Sequence, residues 1–199
     1  MRVVLLALAT VGALAAPATA DGGTGITVTT SFMSGSLQIG DSHGMQVPGM
    51  HFDLGFRVRR WRLAAELEHG VWSESRDNAS PAHTGGFTRL GMALQWAWRD
   101  LELPVREGKP SGHFRGFAEV GLGQQRVETD VFDIARNDVM LGVGVSADVK
   151  LRKVLFGAVF GVRMLISREP QTAIARGMSS SNRSLDVALL YVFGLRFGH

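Results

Sequence analysis

The chain has 199 residues, a formal net charge of +3 and no cysteine. Its length suits one domain, and the lack of cysteine excludes both a disulfide framework and a thiol-linked lipid anchor. Charges of both signs are interspersed without a basic block, which argues against nucleic-acid binding.

The first element is a leader. Arg2 is followed by an apolar run from Val3 to Ala16, then by the small-residue triplet Ala18-Thr19-Ala20 before Asp21. This is the layout of a cleaved signal peptide over 1–20, and the run is too short to span a membrane as a helix. The remaining residues, 21–199, are expected to form one domain.

From there the chain alternates with a period of two, the period of a strand. Ile26, Val28, Thr30 and Phe32 share one face of the first strand, while Met33, Leu37 and Ile39 take the opposite parity. A bulge near Ser34-Gly35 is expected to reconcile the two sets. After a loop over 41–49, Met50, Phe52, Leu54, Phe56 and Val58 alternate with His51, Asp53, Gly55 and Arg57. Arg59-Arg60 reads as a tight turn. Trp61, Leu63, Ala65 and Leu67 then oppose Arg62, Ala64, Glu66 and Glu68 in the third strand.

A polar loop is expected over 73–86. The fourth strand sets Leu90, Met92, Leu94, Trp96 and Trp98 against Arg89, Gly91, Ala93 and Gln95, and its parity breaks at Arg99-Asp100. The fifth strand, from His113 to about Val127, places Arg115, Phe117 and Glu119 opposite Phe114, Ala118 and Val120. Glu128 to Asn137 reads as a loop. The sixth strand runs from Val139 to Leu151 and the seventh from Val154 to Ile166, joined by a turn at Arg152-Lys153. A long loop over 167–184 leads to the last strand, Leu185 to Phe197.

Long connections alternate with shorter ones along these eight strands, so the long ones gather at one end of an up-and-down antiparallel sheet. In strands six to eight one face is apolar at all seven positions, although only 45% of the chain is hydrophobic. The other face mixes glycines with Asp148, Lys150, Arg163, Asp186 and Arg196. A charge on a lipid-facing position costs about 2–4 kcal/mol at the midplane, and the apolar rows carry none. The apolar rows are therefore expected to face lipid. In lipid every backbone polar group must be paired, so the sheet must close. The expected fold is an all-β, eight-stranded, antiparallel, up-and-down transmembrane β-barrel.

The leader, the eight alternating runs and the terminal Tyr191-Val192-Phe193-Gly194-Leu195-Arg196-Phe197 resemble the small outer-membrane β-barrels of Gram-negative bacteria, the OmpA/OmpX type. The resemblance implies residence in the bacterial outer membrane among lipid and lipopolysaccharide. It also implies recognition of the C-terminal strand by the barrel-assembly machinery. In that family the aromatic residue usually ends the chain; here Gly198 and His199 follow it.

Strand parity directs Arg57, Arg62, Glu66, Glu68, Arg89, Arg115, Glu119, Asp148, Arg163, Asp186 and Arg196 into the lumen. Glu66 and Glu68 are expected to meet Arg89 across adjacent strands. An eight-stranded interior is just filled by side chains, so these charges read as a plug. Trp61, Trp98, Tyr191 and Phe197 are the candidate membrane-interface aromatics. Neither a metal site nor a cofactor is expected.

The predicted role is structural or surface-interacting, adhesion or shielding, with a possible surface ligand at loops 73–86 and 167–184. Three alternatives stand beside it. One is a narrow pore. Another is a lipid-modifying enzyme such as a lipopolysaccharide acyl hydrolase or acyltransferase, which needs a nucleophile, a His base and an acid. His69 near Glu68 and Ser73, and His51 near Asp53, are its candidates, although parity turns His69 outward. The third is a soluble, exported, lipocalin-like carrier.

Overall fold

The computed structural model describes residues 24–37, 48–73, 84–103, 111–129, 133–151, 154–168 and 185–198. The leader at 1–20 lies outside them. Eight strands follow one another: β1 Gly25–Leu37, β2 Gly49–Val58, β3 Trp61–Ser73, β4 Thr84–Leu103, β5 Ser111–Thr129, β6 Asp133–Leu151, β7 Val154–Arg168 and β8 Leu185–Gly198. Each pairs antiparallel with its neighbours, and β8 pairs back to β1, so the barrel is closed. The connections 38–48, 74–83, 130–132 and 169–184 leave one end. The turn at 59–60, the segments 104–110 and 152–153, and both ends of the described chain lie at the other. We call these the loop end and the terminus end.

The outer surface is apolar because period-two strands leave one residue in two facing outward. Leu141, Val143, Phe156, Phe160, Tyr191, Phe193 and Leu195 are all exposed, with Phe193 at 60%. The inward positions hold the buried charges and glycines, with the apolar Met140, Val159, Leu190 and Val192 among them. A soluble barrel has the opposite polarity, so the carrier reading is excluded and the sheet is one that lives in lipid.

The first strand corrects an expectation. β1 pairs with β8 without a register shift from Thr27↔Gly198 to Leu37↔Ala188, so there is no bulge at Ser34-Gly35. Met33 and Leu37 change parity because they point inward, where both are buried; Ile39 lies outside the described residues. The register shift in the barrel falls instead between Ala97 and Arg99, on the β4–β5 ladder. It accounts for the parity break at Arg99-Asp100. Past it β4 continues to Leu103, and Trp98 turns outward with its ring against Gly116, where a Cβ would approach it to 2.8 Å.

Three of the expected loops are shorter than the sequence suggested, and the first, expected over 41–49, is shifted to 38–48. Gly49 opens β2, Ser73 and residues 84–86 belong to strands, and Ser167 and Arg168 belong to β7. The largest difference is at Glu128 to Asn137. Glu128 and Thr129 end β5, and Asp133 to Asn137 begin β6. At this level the outward residues are Gln124, Arg126, Glu128, Asp133 and Asn137, while Val127 and Ile134 are buried inside. Polarity inverts because β4, β5 and β6, at 19–20 residues, are about twice the roughly 9–11 needed to span a bilayer. Their tops stand in water, where a barrel buries its apolar side chains.

The two-residue β2–β3 connection places Arg59 at φ 54°, the left-handed region that such hairpins ordinarily reserve for glycine. Ala97 donates its backbone N–H to the Arg60 carbonyl at 2.8 Å, tying this turn to β4.

Candidate functional site: the charged lumen

All eleven lumen residues expected from parity are buried inside the barrel: Arg57, Arg62, Glu66, Glu68, Arg89, Arg115, Glu119, Asp148, Arg163, Asp186 and Arg196. They are joined by His51, Asp53, Gln95, Gln125, Arg136 and Asp138. Among the described residues the buried set holds seven arginines and seven carboxylates. Near-neutrality is what a low-dielectric interior demands of charges that must stay ionised.

The centre is organised by Arg163 on β7. Its Nε donates to Glu119 Oε1 at 2.6 Å, Nη1 to Glu68 Oε1 at 3.0 Å, and Nη2 to Glu66 Oε1 at 2.9 Å and Glu119 Oε2 at 3.1 Å. β3 and β7 are four strands apart in a ring of eight, so this guanidinium ties opposite walls of the barrel together. Arg89 lies 3.2 Å from Glu66 and 3.7 Å from Glu68, the pairing expected from adjacent strands. It reaches further, to Asp138 at 2.9 Å through Nε. His51 is held between Asp53 Oδ2 and Glu68 Oε1, each 3.3 Å away.

A second cluster fills the terminus end. Arg62 pairs with Asp53, and its Nε donates to Thr27 Oγ1 at 2.7 Å. Arg115 and Arg57 share Asp148 Oδ2, at 2.7 and 3.4 Å. Gln95 links the two clusters, accepting from Arg62 Nη1 at 3.4 Å and donating to Glu119 Oε2 at 2.8 Å. A third group, on the β5–β8 wall near the loop end, pairs Arg136 with Asp186, and Gln125 with Ser167 at 3.0 Å.

The lumen glycines make room for these side chains. A Cβ at Gly55 would overlap the Arg62 guanidinium; at Gly91 and Gly123 it would come within 3.0 and 2.8 Å of that of Arg89. An apolar cluster of Met33, Leu37, Trp72, Phe87, Val127, Met140, Leu165 and Leu190 packs inside the barrel on the loop side. The lumen is thus not filled by charge and glycine alone.

Parity with an apolar outer face finds only part of this site. It misses Arg136 because 128–137 reads as a loop, and Asp138 because the sixth strand reads as starting at Val139. The available signal is the continuation of the Met140 parity to Asp138 and Arg136. His51 and Asp53 lie on the inward face of the second strand and belong to the network that the sequence reading drew without them.

The four candidate interface aromatics all face outward. Trp61 meets Trp96 with ring centroids 6.3 Å apart, and Phe197 meets Phe156 at 5.4 Å. With Trp98 these form a belt at the terminus end. Tyr191 stands six residues above Phe197, roughly 15 Å along the barrel axis, and so lies within the apolar band rather than at that rim.

His69 points outward and hydrogen-bonds Thr88 Oγ1 at 3.0 Å, away from Glu68.

Above the bilayer, Arg126 Nε and Nη2 donate to both carboxylate oxygens of Asp133, the first at 2.8 Å. The guanidinium holds the Asp133 carboxyl below the usual carboxylate range. A carboxyl depressed on folding stabilises the fold fully above its unfolded pKa of about 3.9, and loses that contribution as the pH falls through its folded value. Asp133→Asn is therefore expected to speed amide exchange at the tops of β5 and β6 at pH 7 but not at pH 2. Both groups are exposed, so the difference should shrink in high salt. Equal exchange in the two proteins at neutral pH and low salt would show that the pair contributes nothing.

No protein-family model and no curated protein sequence matches the chain. Solved structures do. Neisserial surface protein A superposes with a TM-score of 0.50 at 11% identity, covering 88% of this chain and 96% of that one. The attachment invasion locus protein Ail of Yersinia pestis, solved with the heparin analogue sucrose octasulfate, gives 0.45 at 6% identity, covering 88% and 99%. A major outer membrane protein of Thermus thermophilus gives 0.37 at 11% identity, covering 86% and 99%. The fold and its apolar outer band define this chain as an eight-stranded β-barrel of the bacterial outer membrane.

Proposed function

We propose that this protein is a non-conducting outer-membrane barrel, a rigid post that presents its loop end at the cell surface for contact with a ligand or neighbouring molecule. The observation that carries this reading is Arg163 bound to carboxylates on β3 and β5, across the lumen from its own strand, with a buried apolar cluster on the loop side of it. A lumen crossed this way leaves no continuous aqueous path. The longest connections, 38–48, 74–83 and 169–184, all join strands at the loop end, and the leader over 1–20 would carry the chain to the envelope. Most of the loop residues proposed for contact lie outside the described residues. Loops on a rigid scaffold are where contacts concentrate.

We infer no catalysis. Both ring nitrogens of His51 face carboxylates, and Ser31 Oγ, across the β1–β2 ladder from it, is buried without a hydrogen-bond partner. A nucleophile is not in contact with a base there.

Two measurements test the proposal. Purified protein in planar bilayers is expected to show no stable conductance; large, steady openings would sink the plug. Deleting 74–83 and 169–184 together is expected to leave the heat-modifiable, folded form intact while abolishing binding of whole cells to immobilised host matrix or glycan. Binding that survives the deletion would move the contact surface elsewhere.

A further inference from the structure

We propose that the rim at the terminus end binds the phosphate headgroups of anionic glycerophospholipids, with Arg59 and Arg60 at its centre. The inference concerns the end opposite the proposed contact surface. With the loop end at the cell surface, this rim stands in the phospholipid leaflet of the outer membrane.

Two-residue hairpin loops favour Asn-Gly or Asp-Gly, because their first residue takes a positive φ. The β2–β3 loop is instead Arg59-Arg60, with Arg59 at φ 54°. A side chain other than glycine held there carries a conformational cost, and turn chemistry gives no reason for an arginine. Both arginines are exposed, and neither has a hydrogen-bond or ion-pair partner among the described residues. The turn itself is fixed in place by the Ala97 N–H of β4, which donates to the Arg60 carbonyl at 2.8 Å.

The neighbourhood sets what these cations meet. Trp61 follows Arg60 directly, and its outward indole lies 6.3 Å from that of Trp96, with Trp98 exposed beside them on β4. Outward indoles settle between the acyl chains and water, at the level of the headgroups. The two guanidinium groups therefore leave the chain at the level of the lipid phosphates, to which arginine can donate two parallel N–H bonds.

The rest of the rim shares the sign. The other two-residue connection is Arg152-Lys153, again without a turn-favouring residue, and 104–110 carries Arg106 and Lys109 against Glu107. Asp100 and Glu102 at the end of β4 leave the cations in excess. The four connections at the loop end are several times longer together, yet hold three basic and five acidic residues. Cations gathered at one rim match an anionic leaflet surface.

Trp61, Trp96 and Trp98 report on the lipids around this rim. The purified barrel is folded into phosphatidylcholine vesicles in which part of the lipid is phosphatidylglycerol or phosphatidylcholine with brominated acyl chains, and tryptophan quenching gives the relative association of the two. The expected result is a several-fold preference for phosphatidylglycerol that weakens in high salt. Arg59→Asn with Arg60→Gly supplies the loop that the hairpin favours, so it should fold at least as well in neutral detergent while losing half or more of the preference. Arg60→Gln alone, which leaves the strained position untouched, should lower it too. Inorganic phosphate should act no more strongly than sodium chloride of equal ionic strength. Equal association of the two lipids, or an undiminished preference in both variants, would overturn the site. Competition by inorganic phosphate beyond that of chloride would overturn it as well, by making the ligand a soluble ion. Arginine-dependent sedimentation of the detergent-solubilised barrel with cell-wall sacculi, without any lipid preference, would assign the rim to a polymer instead.

Discussion

Arg163→Met is expected to destabilise the barrel by about 3–5 kcal/mol, the cost of removing one partner from a buried ionic cluster. The substitution roughly keeps side-chain volume and strand parity but removes the hydrogen bonds to Glu66, Glu68 and Glu119. Arg89 still faces Glu66 and Glu68, so Glu119 loses most, keeping Gln95 as its neutral donor. That asymmetry yields a sharper test than the single variant. Adding Glu119→Gln to Arg163→Met should restore part of the loss, because it removes the carboxylate left without a cation. Coupling of roughly 0.5–3 kcal/mol is the usual range for residues in one network. Urea unfolding in detergent, read by tryptophan fluorescence and by gel mobility with and without heating, measures both. A single variant within about 1 kcal/mol of the parent would show that Arg163 does not brace the two walls.

Gly194→Val is expected to prevent closure, with a loss of roughly 4–5 kcal/mol or more and little heat-modifiable protein recovered. Gly194 lies on β8 opposite Ser31 of β1, and a Cβ there would overlap the Thr30 carbonyl oxygen and the Ser31 side chain. Backbone is what it meets, so no rotamer change relieves the overlap. The β1–β8 ladder joins the two ends of the chain, and every other ladder can form locally without it. Opening it exposes two strand edges to lipid, where unpaired N–H and C=O groups each cost several kcal/mol. Gly86→Ala is the control: it faces open space on β4, and its effect should stay within about 0.5 kcal/mol. Normal folding of Gly194→Val would mean that the seam tolerates a separation the structure does not show.

Residues Leu185 to Phe197 illustrate what is legible without coordinates. Seven alternating apolar residues on one face can satisfy neither a helix nor a soluble sheet, so strand, lipid contact and closure follow from period and composition. The same holds for β2, β3, β6 and β7. The reading fails where the solvent changes. Parity alone cannot say at which residue a strand leaves the bilayer, and above that level Gln124, Arg126, Asp133 and Asn137 face out while Val127 and Ile134 face in. A polar stretch at 128–137 therefore reads as a loop. Likewise Met33 and Leu37 read as evidence for a bulge, when they are inward members of the apolar cluster.

Strand number, inward and outward faces, and the identity of most lumen charges were determined by the sequence itself, because side-chain direction in a strand depends only on parity. Which charges meet was decided by the tertiary structure. Glu66, Glu68 and Glu119 come to Arg163 from strands up to four positions away around the ring, and Asp148 is shared by Arg57 and Arg115 from two further strands. Those contacts depend on the barrel's diameter and stagger, which only closure of β8 onto β1 sets.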